Sequence, residues 1–179
     1  MKRWIAGMVM SAAVIAPALA ALKVGEKAPD FSTEASLGGK VFTYSLANEL
    51  KKGPVVLYFY PAAFSKGCTI EAHLFADATD RYKALGATVI GVSNDNIETL
   101  NKFSLSECRS KFPVAADTTQ SIMKSYDSIL LSKTSYADRV SYVIAPNGNI
   151  IYEYSSLSPE KHVENTMQAL QQWAAANKK

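Results

Sequence analysis

The chain has 179 residues, 48% hydrophobic and 20% charged, with 19 Lys and Arg against 16 Asp and Glu, two cysteines and two histidines. That length gives one domain with an ample core, and the composition excludes wholesale disorder, collagen and coiled coil. Two cysteines are too few for a disulfide framework or a four-thiolate zinc site, and two scattered histidines argue against a catalytic metal cage.

Residues 1–20 read as a secretory signal peptide. Lys2 and Arg3 precede an apolar run from Trp4 to Ala16, and Ala18-Leu19-Ala20 has the small-x-small pattern of a cleavage site. The run is shorter than the roughly 20 residues of a bilayer span, and Pro17 interrupts it. The expected mature domain is therefore residues 21–179, exported to the periplasm or an equivalent compartment, soluble and free of the membrane. Without Lys2 and Arg3 the balance is 17 basic to 16 acidic residues, so the net charge of +3 falls to +1. No basic cluster with interleaved aromatics remains for nucleic acid. Export also places both thiols where a disulfide can persist.

No fixed repeat, low-complexity tract or linker interrupts 21–179. Phe31 to Ala35 and Val41 to Tyr44 flank Gly38-Gly39 and predict a hairpin. Val55 to Tyr60 is a continuous apolar and aromatic run, as in a strand buried on both faces. It ends at Pro61, and a loop of small residues leads to Cys68. From Cys68 to Leu85 the residues Ile70, Leu74, Phe75, Ala78, Tyr82 and Leu85 recur at helical spacing, and Gly86 stops the helix. Thr88 to Val92 predicts another strand, Ile97 to Phe103 a second helical stretch, Pro113 to Ala116 a short strand and Ile122 to Tyr126 a helical turn. Arg139 to Ala145 and Asn149 to Tyr154 are strands joined through Pro146-Asn147-Gly148, where Asn-Gly is a strong hairpin signal. A last helix opens with Ser158 as N-cap and Pro159 at its first position, and carries Val163, Met167, Leu170 and Trp173 as its core stripe. This order fits a thioredoxin-like α/β fold, a mixed central sheet with flanking helices and an N-terminal hairpin. It fits a doubly wound dinucleotide fold less well, since no G-x-G-x-x-G follows any strand.

Cys68 is placed past a buried strand and a loop, in the first turn of a helix. Unpaired N–H groups and the positive end of the helix dipole favour an anion there, hence the nucleophilic thiolate. In Tyr60-Pro61-Ala62-Ala63-Phe64-Ser65-Lys66-Gly67-Cys68-Thr69-Ile70-Glu71, the residues Pro61, Ser65 and Cys68 match the P-x-x-x-[ST]-x-x-C motif of peroxiredoxins. Gly67-Cys68-Thr69 with Glu71 resembles the G-C-T-x-E run of the bacterioferritin-comigratory, or Q-type, subfamily. Gly25-Glu26-Lys27-Ala28-Pro29-Asp30-Phe31 is similar to the family's opening signature, and Arg139-Val140-Ser141-Tyr142-Val143-Ile144 to the late strand that begins with its active-site arginine. Three motifs in register make the resemblance specific.

The resemblance implies a thiol-dependent peroxidase acting on hydrogen peroxide and organic hydroperoxides, needing no cofactor and recycled by a thioredoxin-like dithiol reductant. Cys68 would be the peroxidatic thiol, oxidised to a sulfenic acid. Ser65 would offer a hydroxyl to the peroxide, Arg139 a fork of donors to thiolate and peroxide, and Pro61 a cover over the pocket. Glu71 reads as structural support rather than as a reacting group. Subfamily members often carry a resolving cysteine five residues after the peroxidatic one, but His73 stands there. Cys108, 40 residues downstream of Cys68, is the candidate resolving thiol instead. A Cys68–Cys108 bond would close a loop worth roughly 4 kcal/mol. A static disulfide and a bystander thiol with an external resolving thiol are its alternatives. His73 is expected to be structural and His162 to lie on solvated surface. Q-type relatives are often monomers, so a monomer or weak dimer is expected. Two rivals stand beside the peroxidase. A disulfide oxidoreductase needs a cysteine where Glu71 stands. A noncatalytic exported metal-binding or assembly module of the same fold would use C-x-x-x-C, and Ala72 fills the second position.

Overall fold

The computed structural model describes residues 21–177, so the leader reading of 1–20 lies outside the described residues. Its centre is β3 (Val55–Phe59), buried at every position and flanked on both sides by other strands. Alternation along β3 divides the core into two layers. Val56 and Tyr58, with Tyr60 beyond the strand, join Phe75, Phe103 and Leu170 on one face. Val55, Leu57 and Phe59 join Leu46, Tyr126 and Tyr142 on the other.

The remaining strands are β1 (Ser32–Leu37), β2 (Lys40–Ser45), β4 (Thr88–Ser93), β5 (Val114–Ala116), β6 (Val140–Ile144) and β7 (Ile150–Ser155). They form one seven-stranded sheet in the order β2-β1-β5-β4-β3-β6-β7. β3, β4 and β5 run parallel, linked by α2 (Lys66–Ala84) and α3 (Ile97–Ser106) as crossover helices. β1 with β2, and β6 with β7, are antiparallel hairpins. The first turns on Gly38 and Gly39, both with positive φ (56° and 75°), which glycine adopts without a Cβ penalty. At Gly91 on β4 a Cβ would stand 2.7 Å from the Tyr58 ring, so the absence of a side chain there lets that phenol lie flat against the sheet.

The predicted strands and long helices are all present, with ends moved by a few residues. The last helix is α5 (Glu160–Ala176); Pro159 stands before its first residue with near-helical dihedrals, and no side chain closes a cap bond there, so the expected Ser158 cap is not made. α4 (Ser121–Ser125) corresponds to the predicted helical turn. α1 (Leu46–Leu50) was not foreseen. At five residues it carries no periodic signal. It is held by Ser45 Oγ, which accepts from Asn48 N, and by the distant Asp30, whose Oδ1 accepts from Ala47 N at 3.0 Å.

Candidate active site

The strand β3 delivers the chain to Pro61 at the carboxyl end of the sheet, where the backbone turns before α2. This loop is braced from β4: Ala63 N donates to Asp95 Oδ2 at 2.7 Å, and Ser93 Oγ donates to the same oxygen at 2.8 Å. Phe64 takes a left-handed conformation, φ 63°, with its ring edge-on to Phe103 at 5.2 Å. Ser65 then caps α2, and Cys68 falls in its first turn with 1% exposure. The expected placement of the thiol at a helix N-terminus is what the structure has.

Arg139 comes from the other side of β3, immediately before β6, and is 4% exposed. Its backbone carbonyl accepts from Ser156 N, and its Nε donates to the Leu157 carbonyl at 3.0 Å. The two remaining arms are thereby aimed at α2. Nη2 donates to Cys68 Sγ at 3.4 Å, and Nη1 donates to Glu71 Oε2. Gly67 makes room for this, since a Cβ there would lie 3.0 Å from Nη2. Cys68 and Arg139, expected in one site, are in direct contact.

Ser65 and Pro61 frame the same turn without touching the thiol through a side-chain bond. Ser65 is exposed and its hydroxyl donates to the Ala62 carbonyl at 3.0 Å. Pro61 is half-buried at the end of the strand.

Glu71, one turn after Cys68, is fully buried, and burial pushes its carboxyl up to about 8 despite the opposing pull of Arg139. The expectation that His162 is solvated is wrong. Its exposure is 0%, Nδ1 sits 2.8 Å from Ser141 Oγ, and Nε2 sits 2.8 Å from the Ser156 carbonyl. Its ring meets Tyr154 edge-on at 4.8 Å, and Nδ1 lies 3.7 Å from Glu71 Oε1. Burial pulls its pKa down to about 4. The charged neighbours Glu160 and Lys161 suggested a wet turn, but α5 is rotated so that positions 162, 163, 166, 167 and 170 face inward. That helical spacing was the available signal.

Cys108 lies just beyond α3, buried to 0% and unbonded, and burial pushes its thiol well up. It shares the core layer of Cys68, Tyr58 and Tyr60. Both phenol oxygens are buried without a hydrogen-bond partner, a feature the sequence did not announce. His73 pairs with Glu107 at 2.8 Å, fastening α2 to the residue before Cys108, in keeping with a structural role. An apolar cavity of about 290 Å³ lined by Tyr44, Thr79, Val89 and Phe112 lies toward the far end of α2 and includes neither thiol.

The profile described as the AhpC/TSA family matches residues 24–153. The chain is 33% identical over 148 residues to the chloroplastic peroxiredoxin Q of Oryza sativa subsp. japonica and to that of Triticum aestivum, covering 82% of this chain and 66% of each relative. It therefore spans just under two thirds of their length. Among solved structures, peroxidoxin BcpB from Mycobacterium tuberculosis aligns with a TM-score of 0.77 at 27% identity, over 88% of this chain and 99% of that one. A reduced Plasmodium vivax 2-Cys peroxiredoxin aligns with the same TM-score at 22% identity, over 87% of this chain and 99% of that one, which is likeness of fold. The thioredoxin-like architecture expected from the element order is the fold observed.

Proposed function

The chain belongs to the AhpC/TSA family of peroxiredoxins, and from that premise we propose that it is a thiol-dependent peroxidase with Cys68 as its peroxidatic residue. The observation that carries this reading is the 3.4 Å contact from Arg139 Nη2 to Cys68 Sγ in the first turn of α2. A cationic fork and a helix N-terminus converge on one sulfur, and both favour its thiolate. The thiolate attacks one oxygen of the peroxide. The O–O bond breaks, its electron pair leaves with the other oxygen, and that oxygen takes up a proton and departs as water or alcohol. Cys68 is left as a sulfenic acid. Arg139 stabilises the charge moving from sulfur to the leaving oxygen, while Ser65 and Pro61 shape the approach.

Cys108 completes the cycle as resolving thiol: its thiolate attacks Cys68 Sγ, a disulfide forms and water leaves. A thioredoxin-like dithiol then reduces that disulfide by exchange. Support comes from the presence of both thiols in one core layer, although both are buried and the chain around one of them must open before they meet. The leader pattern of 1–20 supports action in the periplasm or another exported compartment, with the mature protein beginning after Ala20. The rival reading, a noncatalytic metal-binding or assembly module, is not favoured by the family match.

Peroxide consumption driven by a thioredoxin-type dithiol is the test. The wild type is expected to turn over and Cys68→Ser to show no consumption above the uncatalysed rate. Equal rates would overturn the proposal.

A further inference from the structure

The acid Glu71 and the base His162 meet where neither contacts solvent. The Ser156 carbonyl can only accept, so His162 Nε2 carries a hydrogen and Nδ1 is the nitrogen that gains or loses a proton. Nδ1 lies 3.7 Å from Glu71 Oε1, and Oε1 has no hydrogen-bond partner. With Glu71 ionised and His162 neutral, Oε1 would be a buried anionic oxygen without a donor of its own, beside an Nδ1 whose lone pair takes the Ser141 hydroxyl, and Arg139 on Oε2 would be its only compensation. One proton removes the conflict, whether on Oε1 or on Nδ1.

The charges of the cluster point the same way. Arg139 supplies one positive charge and faces two acids, Cys68 on Nη2 and Glu71 on Nη1. With Cys68 as thiolate, the cluster is neutral only if the Glu71–His162 pair holds a proton. With Cys68 as sulfenic acid, Arg139 and an ionised Glu71 already balance.

We propose that Glu71 and His162 are a buried proton-holding pair that keeps the Cys68–Arg139 site neutral: one proton is held on Oε1 or on Nδ1 while Cys68 is a thiolate, and leaves when Cys68 becomes a sulfenic acid. This rests on Cys68 being the peroxide-reactive thiol. The step balances, because the reduced site gives up one proton as the leaving alkoxide takes one up. Glu71 and His162 are positioning residues, since they act on sulfur through Arg139. The other ionisable groups facing the pair are Tyr58 from β3, Tyr154 from β7 and Glu160 on α5. Burial pushes the Tyr58 phenol further up, and Glu160 belongs to the first turn of α5. The upward displacement of Glu71 to about 8 and the downward displacement of His162 to about 4 are consistent with a proton on the carboxyl at neutral pH.

Infrared spectra and histidine nitrogen NMR of the reduced protein at neutral pH test the first half without any peroxide. The expected result is a protonated carboxyl band, absent in Glu71→Gln, or an imidazolium at His162. Ionised Glu71 beside neutral His162 would overturn the proposal, whatever the fate of the peroxidase reading. The second half is tested in a Cys108→Ser background, where one equivalent of peroxide should abolish the band or the imidazolium. Its persistence beside a sulfenic acid identified by mass would count against the charge coupling. In pH profiles of Cys68 oxidation, the wild-type rate should fall by a one-proton step above about pH 8. Glu71→Gln should lack that step, and His162→Gln should displace it. A step retained unmoved in both variants would refute the pair. If neither variant folds, the wild-type spectra alone decide.

Discussion

Arg139 is the residue on which the site turns, because its three donor arms reach three separate groups on two segments: the Leu157 carbonyl after β7, and Glu71 and Cys68 on α2. Lysine has one charged nitrogen and cannot reproduce that fork. Arg139→Lys should therefore slow the reaction of Cys68 with peroxide by roughly 10²-fold, the scale of losing one preorganised donor. Rapid-mixing kinetics would measure it, and a loss under twofold would mean the guanidinium does not act on the reaction. Gly67→Ala tests the same arm from the opposite side. Its added Cβ would stand 3.0 Å from Nη2, so that arm must shift by a few tenths of an ångström. A roughly tenfold slower reaction is expected with little change in stability, since the misplacement of one donor is small but sits at the reacting atom.

Among the elements, α2 has two working edges. Its first turn holds Cys68, and a polar stripe of His73, Asp77 and Asp80 pairs in order with Glu107, Arg109 and Lys111. These three pairs fasten the segment that carries Cys108. The same segment holds Arg109 and Ser110 in consecutive left-handed conformations, φ 50° and 55°, which non-glycine residues adopt at a cost. A segment strained in its backbone, whose ties to α2 through Arg109 and Lys111 are exposed ion pairs, opens more readily than the helices beside it, although Cys108 and Phe112 anchor it in the core. If Cys108 resolves Cys68, loosening these ties should speed disulfide formation. Asp77→Asn with Asp80→Asn is expected to raise that rate a few-fold, followed by acid quench and mass. Global stability should change by under about 1 kcal/mol, because surface pairs contribute little. An unchanged rate would show that the pairs do not limit the approach of the two thiols.

At the scale of the whole molecule, the buried pair links folding to pH. Glu71 is raised from 4.5 to about 8 and His162 lowered from 6.5 to about 4 on folding. The raised carboxyl favours the folded state fully below 4.5 and loses that contribution as pH climbs to 8. The lowered imidazole contributes above 6.5 and loses its contribution as pH falls to 4. Between 4.5 and 6.5 the two slopes offset. From 6.5 to 8 only the folded chain holds the extra proton, so stability should drop by about 2 kcal/mol over that interval. Denaturant melts of wild type across this range should show the decline, and Glu71→Gln should flatten it. A wild-type profile level from pH 6.5 to 8 would contradict the assigned shift of Glu71.

Local pattern was enough for most of the architecture. The apolar run at 55–60, the glycine pair at 38 and 39 and the Asn147-Gly148 turn each specify their element through neighbouring residues. The approach of Cys68 to Arg139 followed from three motifs in order. The helices were harder to orient, because hydropathy fixes a helix's existence better than its rotation. On α2 the residues Ile70 and Leu74 looked like core, yet the deepest stripe runs through Cys68, Glu71, Ala72 and Phe75. On α5 His162 looked solvated, yet it faces inward with Thr166. A polar side chain can be buried wherever a distant segment satisfies it, and here Ser141, Ser156 and Arg139 do so from the β6–β7 hairpin. The sequence by itself determined the thiol, its helix and its arginine. Only the tertiary structure, by turning two helices against one hairpin, decided that an acid and a base would be sealed behind them.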